Sequence, residues 1–258
     1  MEISYAEIAQ LLGLFWWPFV RISGVFMFIP IFGDNAVPRK VRILLAILLT
    51  ILVVPFLEVP PAIDPFSLEA IAMTIVQLVW GLLFGFAFQL LFTVFTLIGQ
   101  TISMQMGLSM AVMNDPTNGV SIAIIGQLYL FLCTLLFLAF DGHLVTLAIM
   151  VESFTIWPIK NGLAMGSIWT IVTMMGWVFS AAFAIAIPAI TAMLIANASF
   201  GFMSKAAPSL NVFALGFPMT MVVGLFVLFI SMHGIHTLYF DILLEALEFS
   251  RQYVYVGT

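Results

Sequence analysis

The sequence predicts an all-α integral membrane protein. Only 7% of its residues are charged and 64% are hydrophobic, whereas about 25% of an ordinary soluble domain is charged. No Asp, Glu, Lys or Arg occurs from Ala70 through Asn114, or again from Asn161 through Ser204. A transmembrane barrel would alternate polar and apolar residues over segments of about 10. The long unbroken runs therefore favour helices.

Both uncharged runs are longer than a single membrane crossing requires. A helix needs about 20 apolar residues to cross the hydrocarbon core of a bilayer, and each run is roughly twice that length. Neither run contains a polar loop that would divide it into two spans. The surplus apolar length predicts kinked helices that are buried against other subunits.

The first apolar segment extends from Leu11 to Phe32 and is interrupted by Arg21. An arginine near the middle of a span is costly unless it is paired or reaches the membrane interface. We expect Arg21 either to snorkel or to pair with a carboxylate on a neighbouring helix. A direct role in ion coupling is the alternative.

The second segment, Ile43 to Leu57, follows the densest cluster of cations in the chain, Arg39, Lys40 and Arg42. Loops rich in Lys and Arg remain on the cytoplasmic side of a membrane, which is where we place this one. A proline-rich stretch ends the segment, because proline cannot continue a helix.

The rest of the chain divides into apolar blocks and a polar tail. The blocks are Val120–Phe140, Leu144–Trp157, Ile168–Phe202 and Val212–Phe240. Lys205 and Pro208 mark a turn, so the region from Ile168 to Phe240 is predicted to be a helical hairpin, with a bend at Pro188. Asp241–Gln252 is predicted to be an amphipathic helix outside the membrane core.

A polar stripe follows one face of the first long run. Its members recur at spacings of 4, 3, 4 and 3, as on one side of an α-helix: Gln89, Thr93, Thr96, Gln100 and Ser103. Gly81 and Gly85 extend the stripe backwards and Gly107 extends it forwards. Such a face suits close helix packing, or it lines a watery conduit; the sequence leaves both open.

The stripe leads into a methionine-rich segment, Met104–Gly119. Four methionines fall within ten residues and are followed by a turn sequence rich in Asn, Pro and Gly. Methionine side chains are flexible and re-pack against irregular surfaces. The segment is therefore either core filler or a deformable seal across a pore.

Several motifs together resemble the FliR family of the bacterial flagellar secretion system, whose relatives include the SctT proteins of virulence injectisomes. The matching stretches cover nearly the whole chain: Arg21–Gly24, Val37–Arg42, Gly99–Ser109, Asp115–Pro116, Phe137–His143 and Ala206–Pro218. Lys205 stands where many members of the family carry Arg, which keeps the charge but loses the bidentate geometry.

The resemblance implies a channel-forming subunit of a hetero-oligomeric export gate in the inner membrane, at the flagellar basal body. Residues 1–160 would correspond to a FliP-like part, residues 161–240 to a FliQ-like hairpin and residues 241–258 to a tail. FliP-like, FliQ-like and FlhB-like subunits would be its partners, and unfolded flagellar proteins its substrates. A plug loop is implied at about residues 106–121, with these candidate residues: Met106, Gly107, Met110, Met113, Asn114, Asp115 and Pro116.

Enzymatic and transporter functions are the competing interpretations. Ser109 and His143 match a rhomboid-type protease only loosely, and His233 with His236 supplies two potential metal ligands where a site needs more. We expect no enzyme, metal or cofactor. A virulence injectisome subunit is the first alternative function. A secondary transporter is the second, but the long runs show no convincing inverted repeat.

Overall fold

The prediction of an all-α membrane protein is confirmed. The structure is a computed structural model that describes residues 5–33, 37–108, 124–159, 162, 165–206 and 212–255. The described residues form eight α-helices and a short 3-10 helix at Val54–Phe56. The α-helices are α1 (Tyr5–Phe28), α2 (Arg39–Val53), α3 (Leu68–Gln105), α4 (Ile124–Ala139), α5 (Gly142–Ile156), α6 (Met165–Ala206), α7 (Val212–Met232) and α8 (Ile235–Tyr255).

Within the described residues, three helices are long and apolar enough to cross a membrane, in α1, α3 and α6. The number is five if α4 with α5, and α7 with α8, each count as one broken span. Helix α3 has 38 residues and α6 has 42. At 1.5 Å per residue, α6 is about 63 Å long, roughly twice the 30 Å hydrocarbon core. Each uncharged run therefore contains one continuous long helix.

The helices divide into two compact units, one made of Met1–Leu90, Phe137–Met174 and Ala246–Thr258, the other of Leu91–Leu136 and Met175–Glu245. In the first unit, α1 and α3 approach at small residues. A Cβ on Gly81 would overlap the backbone carbonyl oxygen of Arg21, and a Cβ on Gly85 would overlap that of Val25. The glycines that extend the polar stripe backwards thus serve helix packing.

In the second unit, small residues again determine where helices approach. Gly99 on α3 lies against Ile125 and Gly126 of α4, where a Cβ would meet backbone atoms. On α6, three alanines of one helical face are directed inwards, since Ala182, Ala186 and Ala189 are buried. The division predicted at residue 160 stays a prediction.

The C-terminal part differs from expectation in one respect. The block Val212–Phe240 is interrupted at His233–Gly234, where the chain bends by 66° between α7 and α8. The amphipathic C-terminal helix therefore begins at Ile235, earlier than the predicted Asp241. The sequence-based boundary missed the break because apolar residues flank it on both sides, with Ile230 before it and Leu238 after it.

Candidate functional site: the end of α3 and the Arg21 cluster

Helix α3 ends in a Schellman motif at the point where the predicted plug loop begins. The Leu108 amide donates to the Ser103 carbonyl (3.2 Å) and the Gly107 amide to the Met104 carbonyl (3.1 Å). These two bonds require a left-handed residue between them, and Gly107 has a φ of 77°. Glycine adopts this conformation without the steric cost that a side chain brings. The direction in which the chain leaves α3 therefore depends on Gly107.

Met106 fixes the same helix end to α7. Its side chain is fully buried and occupies the notch at Gly224, where a Cβ would lie 2.8 Å from both the Met106 sulfur and Cε. The Asn197 side-chain amide of α6 donates to the Gln105 carbonyl (3.4 Å). The end of α3 is thus attached to two helices of the hairpin region, and this gives the following segment a fixed root.

The other candidate plug residues lie outside the described residues: Met110, Met113, Asn114, Asp115 and Pro116. Their role remains a prediction. What the structure contributes is the geometry of the segment that precedes them, namely the glycine turn and the buried Met106.

The polar stripe of α3 becomes more buried towards the C-terminal end of the helix. Gln89, Thr93, Thr96 and Gln100 are half-buried, and Ser103 is buried. Thr96 donates to the Phe92 carbonyl of its own helix (3.0 Å). The Ser103 hydroxyl has no hydrogen-bond partner among the described residues. Half-burial suits both helix packing and conduit lining, so the two alternatives for this face stay open.

Arg21 is fully buried in the first unit, and its partners differ from those expected. Its Nε donates to the Gln77 side-chain carbonyl (2.8 Å). Its two terminal nitrogens donate to the backbone carbonyls of Ser153 and Trp157, each at 3.0 Å. The guanidinium carbon lies 4.4 Å from the Phe154 ring centroid. The expectation of snorkelling or of a carboxylate partner was therefore wrong.

The position of these carbonyls explains how the charge is tolerated. Ser153 lies in the last turn of α5 and Trp157 directly follows it, so Arg21 sits at the negative end of the helix dipole. Gln77 also donates to the Ile159 carbonyl (3.2 Å), which fixes the chain just after α5. The stacked rings of Trp80 and Trp157, 4.5 Å apart, cover the same helix end. Arg21 thus joins the end of α5 to the interiors of α1 and α3.

Sequence reasoning identified Arg21 but missed its partners. Gln77 was detectable in principle, because it is the first strongly polar side chain of the long apolar run. The carbonyls of Ser153 and Trp157 were not detectable, since every residue has one and only the fold determines which of them lie at a helix end within reach of Arg21.

Lys205, the other predicted intramembrane charge, is exposed in the last turn of α6. A cation there is favourable because it faces the negative end of the helix dipole. No group of three or more His, Cys, Asp or Glu side chains suited to a metal ion occurs in the described part of the chain.

Comparison with known proteins places the chain in a family. The family model described as "Bacterial export proteins, family 1" matches residues 12–246. The "Flagellar biosynthetic protein FliR" of Pectobacterium carotovorum is 35% identical over 224 residues, covering 86% of this chain and 85% of that protein. The protein of the same name from Escherichia coli is 31% identical, covering 87% and 86%. "Surface presentation of antigens protein SpaR" of Shigella flexneri is 24% identical and covers 84% of each chain. The chain therefore belongs to family 1 of the bacterial export proteins.

Proposed function

We propose that the chain is a structural, channel-forming subunit of the flagellar type III protein export gate in the bacterial inner membrane. The observation that carries this proposal is the family match over residues 12–246, together with relatives that are flagellar biosynthetic proteins. Unfolded flagellar subunits are the proposed substrates, and we assign the chain no catalytic step. An injectisome function is the second candidate, supported by the Shigella relative. The lower identity of that relative makes the flagellar system the better choice.

The exposed apolar surface supports an assembly with other subunits. Within the apolar part of α6 that is long enough to cross a membrane, only 28% of the residues in an 18-residue stretch are buried inside the chain. Even a helix tilted by 40° needs only about 39 Å to cross a 30 Å hydrocarbon core, whereas α6 is about 63 Å long. Tilt therefore does not account for the surplus. FliP-like, FliQ-like and FlhB-like subunits in the basal body are the proposed partners that cover it.

Sealing of the closed pore is the second part of the proposal. The plug segment, residues 106–121, follows directly from the Schellman turn at Gly107. A seal needs a fixed root and soft side chains, and the buried Met106 and the methionines that follow it meet these requirements. We propose that the polar stripe from Gln89 to Ser103 lies on the face of α3 that is nearest the export pore.

A secretion experiment tests the proposed function. Deleting the gene should remove filament protein from the culture medium while leaving it in the cytoplasm, and a plasmid copy of the gene should restore secretion. The injectisome alternative predicts the opposite pattern, in which filament secretion and motility persist and effector secretion is lost. Normal secretion of both substrate classes would contradict the proposal.

A further inference from the structure

A cavity of about 560 Å³ lies inside the second unit, beside the break between α7 and α8. Its walls are apolar side chains from four helices, among them Ile98, Ile185 and Val227. Its polar lining comes from Tyr129, Ser231, Thr237 and Asp241. The combination of apolar walls and a small number of polar groups is typical of a binding site.

The hydroxyl protons of this lining are all engaged within the chain. Ser231 donates to the Leu228 carbonyl (2.8 Å), so Tyr129 is the donor in the 3.0 Å bond between the two hydroxyls. Thr237 donates to the Gly234 carbonyl (2.7 Å). The side chains therefore offer the cavity only oxygen lone pairs and one carboxylate. A cationic donor matches such a lining, and an anion does not.

Asp241 is the charged group of this cavity and is exposed at its edge. No hydrogen bond or ion pair joins its carboxylate to another residue in the part of the chain that the structure describes. Lys205 lies about 20 Å beyond the cavity along α6, so it does not reach Asp241. The carboxylate of Asp241 is therefore available to a cation that comes from outside the chain.

We propose that a Lys or Arg side chain from a neighbouring subunit enters this cavity and pairs with Asp241. A bare metal ion would leave most of 560 Å³ unfilled, whereas the methylene stem of a long cationic side chain suits apolar walls. Ile230, which lines the cavity, is 57% exposed, and its neighbour in sequence Phe229 is 76% exposed. A partner helix would cover these side chains while its cation reaches Asp241. The inference rests on the proposed function, because it needs the neighbouring subunits.

The experiment uses the chain co-expressed with the neighbouring export-gate genes. A photo-crosslinking amino acid at Ile230 should join the chain to a partner peptide that contains Lys or Arg. The matched control is the same amino acid at Leu48, which is equally exposed (57%) and should give a different product. Asp241→Lys should lower the yield of the hetero-oligomer by about tenfold or more, as expected for loss of a buried ion pair. Changing the crosslinked partner cation to Asp should restore the yield.

Controls separate this interaction from folding and from simple loss of charge. Asp241→Asn should weaken the complex without lowering the melting temperature of the isolated chain. Glu69→Gln, at an exposed carboxylate in the first turn of α3, should leave the complex unchanged. Full assembly of both Asp241 variants would overturn the proposal, as would a wild-type yield that depends on the concentration of sodium or potassium at constant ionic strength. If the wild-type chain forms no hetero-oligomer, the proposed function itself fails and this site with it.

Discussion

Replacing Arg21 by methionine is expected to destabilise the chain by about 3–5 kcal/mol, because it leaves two buried acceptors unsatisfied at about 1–3 kcal/mol each. The two acceptors are the Gln77 side-chain carbonyl and the Trp157 backbone carbonyl, whereas the Ser153 carbonyl loses one bond but keeps the Trp157 amide (3.0 Å). Since these groups join the end of α5 to α1 and α3, secretion should be lost as well. Denaturant unfolding of the purified chain in detergent measures the first effect, and filament protein in the medium measures the second.

Two further variants test whether the lost hydrogen bonds of Arg21 cause this loss of stability. Arg21→Lys keeps the charge, but a single ammonium cannot reproduce the fork of the guanidinium, so its unfolding free energy should fall between wild type and Arg21→Met. Arg39→Met removes an exposed arginine at the start of α2 and should unfold like wild type. If Arg21→Met unfolds at the wild-type denaturant concentration, the cluster does not support the fold as described.

Deleting residues 110–118 is expected to open the closed gate to small ions. The deletion removes Met110 and Met113 but spares the Schellman turn at Gly107 and the buried Met106, so the complex should still assemble. Cells should lose potassium and grow slowly in high salt. Membrane conductance, measured with an ion-sensitive dye, checks the first effect, and the yield of purified complex checks assembly.

A conservative variant tests whether soft apolar side chains form the seal. Leucine is apolar and has nearly the same side-chain volume as methionine. When Met110 and Met113 are both changed to leucine, the membrane conductance should therefore stay close to that of wild type. Changing both to serine should cause a leak. If the deletion variant assembles fully and its membrane conductance equals that of wild type, residues 110–118 do not seal the pore.

The sequence predicted an all-α membrane protein because two long runs contain no charged residue. Apolar runs of this length are stable only as helices buried in a membrane or against other subunits. It also indicated close helix packing at the glycines that extend the polar stripe, and Gly81 and Gly85 do lie at helix contacts. These predictions succeed because side-chain periodicity along one helix is a local property.

Sequence reasoning failed where the outcome depended on backbone groups brought together by the fold. The partners of Arg21 are mainly carbonyls at the end of α5, and no residue pattern marks them. The break at His233–Gly234 was missed because apolar residues flank it on both sides. The cavity beside that break follows from the packing of five helices, so only the structure connects Asp241 with Tyr129.

The central claim is that this chain works as one subunit of a hetero-oligomeric export gate. Native mass spectrometry of the tagged chain, extracted in mild detergent after co-expression with the neighbouring export-gate genes, tests it most directly. The account predicts a defined complex that holds this chain together with FliP-like and FliQ-like subunits, which would cover the exposed apolar faces of α6 and α7. A stable monomer or homodimer that ignores those partners would contradict the account and favour a secondary transporter.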